Sequence, residues 1–381
     1  MKMLYILNTA NKVNNFSYSS MIAALQLCYE FHIAGNWTNY NSKEERKVDE
    51  EKYGIKIHQI DFIRAPYHPK NRIAYKQLLE LCQKEKFDVI HCNTPIGGVL
   101  GRIVGEKCKV PKIIYEAHGF HFYKGSPILN WLIYYPIEKW LAHKTDVLIT
   151  INKEDYELAR KRMHLRTGGK VEYVPGVGID TAQYLNERTA RIDKRKELGL
   201  AEDDVALISM GDLIDRKNYP MAINGLARLN NCRVHYFICG KGPDEEKLKA
   251  LTSTLGIENQ VHFLGFRTDI KELLNAADVF VLTSKQEGLA RSLMEGMASG
   301  LPCIASKIRG NTDILDEQQG GFLVANEKDV SDAIQKLLVA ETRQRMSVYN
   351  LEKITGYSIE GISGDIKNVY SSELNGGVQP N

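Results

Sequence analysis

Short runs of β-branched and aliphatic residues punctuate this chain, separated by longer stretches whose apolar positions recur at helical spacing. In the first half these runs predict strands over residues 2–7, 31–34, 55–60, 88–92, 112–115, 146–151 and 171–174. Helical periodicity falls between them, as over 74–84 and 98–107. The second half repeats the alternation, with strands over 205–210, 233–239, 260–264, 278–283, 302–305 and 321–324. Alternating strands and helices imply parallel sheets covered by helices on both faces. Two such sets predict an α/β chain of two Rossmann-like domains with a cleft between them. A turn-rich segment at 175–180 sets the boundary, giving residues 1–178 and 179–356, and a helix at about 357–374 is expected to pack back on the first domain. The densely charged segment 43–52 reads as an exposed loop or lid, and the last ten residues as a frayed end.

The stretch Glu287-Gly288-Leu289-Ala290-Arg291-Ser292-Leu293-Met294-Glu295 carries the strongest chemical signal. It joins the apolar strand predicted over 278–283 to a helix over 290–299, which Gly300 and Pro302 stop. Glu287 therefore sits in the loop at a strand's carboxyl end, and Glu295 on the helix. Open α/β sheets bind ligands at that place, and the helix N-terminus there favours an anion such as phosphate. Two carboxylates that only accept hydrogen bonds suit the hydroxyls of a sugar or ribose. The combination suggests a nucleotide-sugar site.

Other strand-end loops could complete it. Gly211 follows the strand over 205–210 and leads to Arg216 and Lys217, cations able to neutralise a diphosphate. Taken alone, such a pair reads as a solvated surface pair. Gly240-Lys241-Gly242-Pro243 reads equally as a tight turn before a helix. Gly265-Phe266-Arg267 offers backbone groups and a ring to a base, or is a surface loop. Ile308-Arg309-Gly310-Asn311 occupies the same kind of position. In the first half, His118-Gly119-Phe120-His121-Phe122-Tyr123-Lys124-Gly125 follows the strand over 112–115. Imidazole there suits hydrogen bonding to a sugar hydroxyl or proton relay, with His121 and Lys124 on the acceptor side. The competing reading is two packed, satisfied core histidines.

Composition narrows the classes. A length of 381 residues suits two domains, and 43% hydrophobic with 25% charged residues is ordinary for a globular protein. A net charge of +3 is too balanced to argue for nucleic acid. Seven scattered cysteines show no metal spacing and suit buried free thiols in a reducing cytoplasm. The first apolar run is too short for a signal peptide, and none approaches the roughly 20 residues of a membrane span. The expected location is cytoplasmic, with any membrane contact peripheral on the inner face. An aromatic-rich segment, 130–144, reads either as a helix covering the first sheet or as a surface lying on a membrane. A GxGxxG after the first strand, a Walker loop, HExxH, GxSxG and a strand-end Asp-x-Asp are all missing, so neither a metal nor a cofactor is expected.

Together these residues resemble glycosyltransferase family 4, retaining nucleotide-sugar-dependent enzymes of the GT-B fold, over nearly the whole chain. The family signature, two glutamates separated by seven residues, is matched by Glu287 and Glu295. The His118–Gly125 block and Ile308-Arg309-Gly310-Asn311 resemble the bacterial exopolysaccharide and capsule branch. The resemblance implies that Glu295 binds the donor ribose, Glu287 contacts the transferred sugar and His118 sits beside the donor hexose. It places Lys217 on the diphosphate, with amides around Leu289, Ala290 and Arg291, next to Gly288. It implies metal-independent retention by front-face attack, a UDP-sugar donor as substrate, and a lipid-linked or growing saccharide acceptor in polysaccharide biosynthesis. Two departures stand out. Asp212 follows Gly211 where the family often has arginine, with Arg216 as a candidate substitute. Residues 9–15 replace the paired glycines usual after the first strand. Two other readings stay open: a nucleotide-sugar epimerase on the same fold, and a catalytically silent nucleotide-sugar-binding subunit.

Overall fold

The computed structural model describes residues 1–372, apart from 11, 14, 39–42, 66 and 185–187. Among them, each predicted apolar run forms a strand, with ends moved by at most two residues. In the first half these are β1 (Lys2–Thr9), β2 (Glu30–Asn36), β3 (Lys56–Gln59), β4 (Val89–Asn93), β5 (Lys112–Ala117), β6 (Val147–Thr150) and β7 (Lys170–Tyr173). In the second they are β8 (Val205–Met210), β9 (Val234–Cys239), β10 (Val261–Gly265), β11 (Val279–Leu282), β12 (Cys303–Ser306) and β13 (Gly321–Val324). The chain divides into two units, Met1–Gly178 with the described part of Ile359–Asn381, and Ile179–Ser358.

The first unit is built on a parallel sheet of order β3-β2-β1-β4-β5-β6-β7. Period-two alternation sends Met3, Tyr5 and Leu7 to one face, against Met21 and Ala24 of the helix Asn15–Gln26. Ile362, Ile366 and Tyr370 of the last helix, Ile359–Ser372, pack into the same layer, so the end of the chain covers the first sheet. Leu4 and Ile6 face the other side, among Ala74 and Leu78 of Asn71–Glu85 and Val104 of Pro95–Lys107. The final nine residues, which hold all but the first of the ten expected to fray and residues 373–374 of the expected closing helix, lie outside the described residues.

The charged segment predicted as a loop is instead a helix, Lys43–Tyr53. Its Glu, Lys and Arg residues are strong helix formers, and acids lead while Lys52 closes, which complements the helix dipole. The carboxylate of Glu50 accepts from the Ile57 amide at 2.7 Å, tying this helix to β3.

The aromatic segment forms the helix Ile128–Ala142, which covers the first sheet with one face and exposes the other. Trp131, Tyr134 and Tyr135 pack half-buried on the sheet layer. Ile128, Leu129, Leu132, Ile137 and Trp140 are exposed. Glu138 anchors the helix by a two-pronged pair with the fully buried Arg102, Nη2 to Oε2 being 3.2 Å, while the guanidinium lies 3.7 Å over the Tyr115 ring.

The second unit carries a parallel sheet of order β10-β9-β8-β11-β12-β13. Val205 and Leu207 join Ile223, Leu226, Val330 and Ile334 on one face, and Ala206, Ile208 and Met210 join Leu293, Met294 and Met297 on the other. β8 has β9 on one side and β11 on the other, so the order of connection reverses between β8 and β11. That reversal is where a doubly wound sheet opens a crevice at its carboxyl edge.

All seven cysteines are free thiols. Cys82, Cys92, Cys239 and Cys303 are buried as expected for strand and helix interiors, but Cys28 and Cys232 are exposed.

Candidate active site

The loops leaving β8 and β11 are laced together. The Lys285 amide donates to the Arg216 carbonyl at 2.8 Å, the Arg216 guanidinium donates to the Gln286 carbonyl at 2.8 Å, and the Thr283 hydroxyl donates to the Asn218 carbonyl at 2.9 Å. This lacing delivers Lys217, from the short 3₁₀ turn Asp215–Lys217, to Glu287: Nζ to Oε1 is 2.8 Å. Arg216 Nη1 lies 3.4 Å from the same oxygen. Only 13% of the Lys217 side chain and 11% of Glu287 are exposed, against 43% of Arg216, so the inner pair is sheltered while the outer cation reaches solvent.

Two glycines let the backbone close around this pair. A Cβ on Gly240, after β9, would fall 1.9 Å from the Gly211 carbonyl oxygen, so only glycine brings that turn against the β8 loop. Gly310, at φ +79°, brings the loop after β12 against Gly288, where a Cβ would meet the Gly288 carbonyl at 2.4 Å. Below it, buried Asn311 donates to the Ser306 carbonyl at 3.0 Å, and the Ser306 hydroxyl donates to the Ser284 carbonyl at 2.6 Å. The Ile308–Asn311 stretch thus braces the glutamate loop.

Glu295 lies on the helix Arg291–Ala298, where Arg291 Nε donates to its Oε1 at 2.9 Å. No side chain caps this helix at Ala290, so the amides of its first turn keep donor capacity beside Gly288 and Leu289. Tyr184, on the turn Thr181–Tyr184, completes the surroundings of Glu295. Burial first, and then the Glu295 carboxylate, push its phenol well above the usual range. Nothing in the sequence around Tyr184 announced it; it reaches Glu295 only through the fold.

Gly265 ends the edge strand β10, and Phe266, which follows it, is 73% exposed and open to a stacking partner. Arg267 is not a spare cation: its Nε donates to Asp269 Oδ1 at 2.7 Å and its Nη2 to Glu197 at 3.0 Å. Hydrogen bonds to these two carboxylates hold its pKa above the ordinary arginine value. Asp212 is exposed, one residue beyond Gly211.

On the first unit, the loop after β5 is pinned from below. The Phe120 amide donates to buried Asp155 at 2.9 Å and the Lys124 amide to Glu154 at 2.8 Å. Phe120 and Phe122 stack in the core at 4.8 Å. This register sends His118 and His121 apart. His121 is exposed and stacks on Tyr134 at 4.6 Å, and Lys124 is exposed, so neither joins His118. His118 is no satisfied core histidine either. Its ring lies 4.5 Å from that of Phe16, its Nε2 is buried without a hydrogen bond among the described residues, and 22% of the side chain remains exposed. Burial chiefly lowers its pKa, which keeps the imidazole neutral. Of the loop after β1, Asn11 and Asn14 lie outside the described residues, and Val13 is buried.

Comparison with known proteins shows the family and the fold. Residues 190–353 match the family model described as glycosyl transferases group 1, and residues 11–152 the model described as glycosyl transferase 4-like. The putative glycosyltransferase EpsD of Bacillus subtilis (strain 168) is 36% identical over 304 residues, 78% of this chain and 77% of the relative. The UDP-Gal:alpha-D-GlcNAc-diphosphoundecaprenol alpha-1,3-galactosyltransferase of Escherichia coli is 32% identical over 253 residues, 65% of each chain. The crystal structure of HepE from Anabaena in complex with UDP shares the fold, with a TM-score of 0.78 at 19% identity over 98% of this chain and 100% of that one.

Proposed function

This chain belongs to glycosyltransferase family 4, of the GT-B fold, and we propose that it moves a hexose from a UDP-sugar to a lipid-linked or growing saccharide, with retention and without metal or cofactor. The observation that carries this reading is the sheltered 2.8 Å pair of Lys217 and Glu287 at the reversal point of the second sheet. Lys217 has three donors and spends one on Glu287, leaving two for a diphosphate. As the sugar–phosphate bond breaks, negative charge grows on the departing diphosphate. Lys217, Arg216 and the amides at the start of Arg291–Ala298 are fixed where that charge develops, so little reorganisation is needed. Glu287 then orients the transferred sugar and stabilises positive charge on it. Glu295, held by Arg291 and flanked by Tyr184, accepts from the ribose hydroxyls, and Phe266 lies open to the base. His118, neutral and part-exposed, hydrogen-bonds a sugar hydroxyl.

The relatives support the donor and acceptor classes. The Escherichia coli protein acts with UDP-Gal on a diphosphoundecaprenol-linked sugar, and the HepE structure holds UDP. The named relatives are transferases, which favours transfer over the epimerase reading. A lipid-borne acceptor also suits the exposed apolar face of Ile128–Ala142, flanked by Lys139 and Lys144, as a surface that rests on the cytoplasmic side of a membrane. Among the described residues no helix is long and apolar enough to cross one.

Thermal melting against a panel of UDP-, GDP- and ADP-sugars tests the donor. Binding to the native state alone raises the melting temperature with affinity, so UDP-sugars should give the largest shift. A larger shift with a GDP- or ADP-sugar would replace the donor. Release of free sugar from the preferred donor by pure protein separates an active enzyme from a silent binding subunit.

A further inference from the structure

Behind His118 lies a buried polar line that the proposed chemistry does not use. The Tyr370 hydroxyl, on the last helix, is 2.7 Å from His91 Nδ1 on β4. His91 Nε2 is 3.3 Å from Glu116 Oε2 on β5, and Glu116 Oε1 is 3.8 Å from His118 Nε2. Tyr370, His91 and Glu116 are at most 1% exposed. His91 Nε2, Glu116 Oε1 and His118 Nε2 are all buried without a completed hydrogen bond among the described residues, and the Glu116 carboxylate lies between the two imidazoles, Oε2 toward His91 and Oε1 toward His118. Buried polar atoms left alone are costly, so the cheapest arrangement is for both ring nitrogens to bond the carboxylate. A small rotation of the His118 ring closes 3.8 Å to bonding distance, and catalytic contacts are often long before substrate arrives.

The chemistry of the carboxylate then fixes every proton in the line. Burial alone would raise the pKa of Glu116, but His118 and His91 outweigh it and hold the group below its ordinary value, so it is ionised. An ionised carboxylate only accepts. Both nitrogens that face it must therefore carry hydrogen. Burial keeps Tyr370 protonated, so its O–H donates to His91 Nδ1, which agrees with hydrogen on His91 Nε2. The other titratable neighbour, Tyr5 on β1, lies with its ring 5.0 Å from His91, and burial followed by Glu116 holds it protonated. Phe16 covers the remaining side of His118 with an uncharged ring. His118 Nδ1 is the one nitrogen of the two histidines that stays in contact with solvent and has no partner among the described residues.

We propose that Glu116, backed by His91 and Tyr370, is the positioning residue of His118: it holds His118 as the Nε2–H tautomer and so presents Nδ1 as a hydrogen-bond acceptor to the sugar. The last helix thereby takes part in the site it covers, since it supplies the hydroxyl at the head of the line. The proposal rests on the reading of His118 as a group that meets the sugar, and the test separates the two.

The tautomer of His118 is read directly by nitrogen–proton correlation NMR of the full chain labelled at histidine, with His118→Gln assigning the signal. Wild-type protein should show the Nε2–H tautomer. In Glu116→Gln an amide that can donate faces the ring, and the preference should be lost. Turnover should then fall about 10–100-fold, taking as a guide the scale for removing the outer hydrogen-bond partner of a metal-ligating histidine, with the donor KM within about twofold. Tyr370→Phe should move the His91 signal and leave His118 as Nε2–H. A wild-type His118 found as the Nδ1–H tautomer overturns the proposal without need of any variant. So does an Nε2–H signal unchanged in folded Glu116→Gln. A lost preference with unchanged turnover upholds the positioning and removes His118 from the reaction.

Discussion

Lys217 and Glu287, seventy residues apart in the chain, meet at 2.8 Å because β8 and β11 are neighbours in the sheet and their loops are laced together by hydrogen bonds to backbone carbonyls. The pair keeps each charge compensated in a sheltered place before any substrate is bound. On the proposed reading, an arriving diphosphate shares Lys217 with Glu287 while the sugar that it carries meets the carboxylate.

Replacing Glu287 with Gln should therefore separate binding from transfer. The amide keeps the size of the carboxylate but removes its charge, so turnover should fall by about 10²-fold or more, the usual scale for losing one preorganised electrostatic group. UDP affinity, measured by calorimetry, should be unchanged or tighter, because a negative charge near the phosphates is gone. Full turnover by the variant would take Glu287 out of the mechanism.

Truncating Lys217 to Ala should act on binding instead. Hydrogen bonds from a charged donor contribute about 1.5–3 kcal/mol, so UDP should bind about 10–100-fold more weakly. An unchanged calorimetric Kd would reject the phosphate role. Arg216→Ala should cost less, since its side chain is the more exposed of the two and is already bonded to the Gln286 carbonyl.

Asp212 puts a negative charge where the family resemblance leads to the expectation of an arginine. It is exposed one residue from Gly211, so its effect is a screened, longer-range one. Asp212→Arg should tighten UDP binding several-fold at low salt, and the gain should shrink as salt rises. No gain at low ionic strength would mean that Arg216 already fills the role.

How much of this was legible in the sequence depends on whether a feature is local. The strands announced themselves because each is an apolar run bounded by polar residues, and Glu287 because a glutamate in a strand-to-helix loop is a local pattern. The helix Lys43–Tyr53 has no apolar stripe to announce it, so its charge reads as an exposed loop or lid although its residues favour a helix. Tyr184 reaches Glu295, and Tyr370 reaches His91, only through strand order and the return of the last helix, which no window of sequence contains. One signal was available: His91 and Glu116 are polar residues inside otherwise apolar strand runs, and a buried polar side chain demands a partner. The carboxylate partners of Arg267, Asp269 and Glu197, were likewise illegible, since they come from the next turn and from another helix.

The exposed apolar face of Ile128–Ala142 makes the membrane reading measurable. Burying one leucine side chain is worth about 1.5–3 kcal/mol, so Leu132→Glu should weaken binding to vesicles containing anionic lipid by about tenfold or more. Activity on a soluble acceptor should persist. Sedimentation of the wild-type chain that does not depend on vesicles would remove this surface from the account.

The same helix depends on one buried charge pair, and that pair gives the sharpest stability test. Arg102 is fully buried, donates from Nε to the Gly98 carbonyl at 2.8 Å and from its two terminal nitrogens to Glu138, and stacks on Tyr115. Glu138→Ala would strand that guanidinium without its counter-charge, which costs about 3–5 kcal/mol in comparable buried pairs. For a unit of this size that should lower the melting temperature by roughly 6–20 °C. Replacing both partners, as Arg102→Met with Glu138→Leu, removes the desolvated charges together and should recover most of the loss. Recovery in the double variant shows that the pair fixes the helix without adding much net stability. If the double variant is as unstable as the single one, the guanidinium on the Tyr115 ring is the contact that matters. Because Glu138 helps anchor the helix, Glu138→Ala should weaken vesicle binding as well, and the double variant should regain only the part that comes from packing.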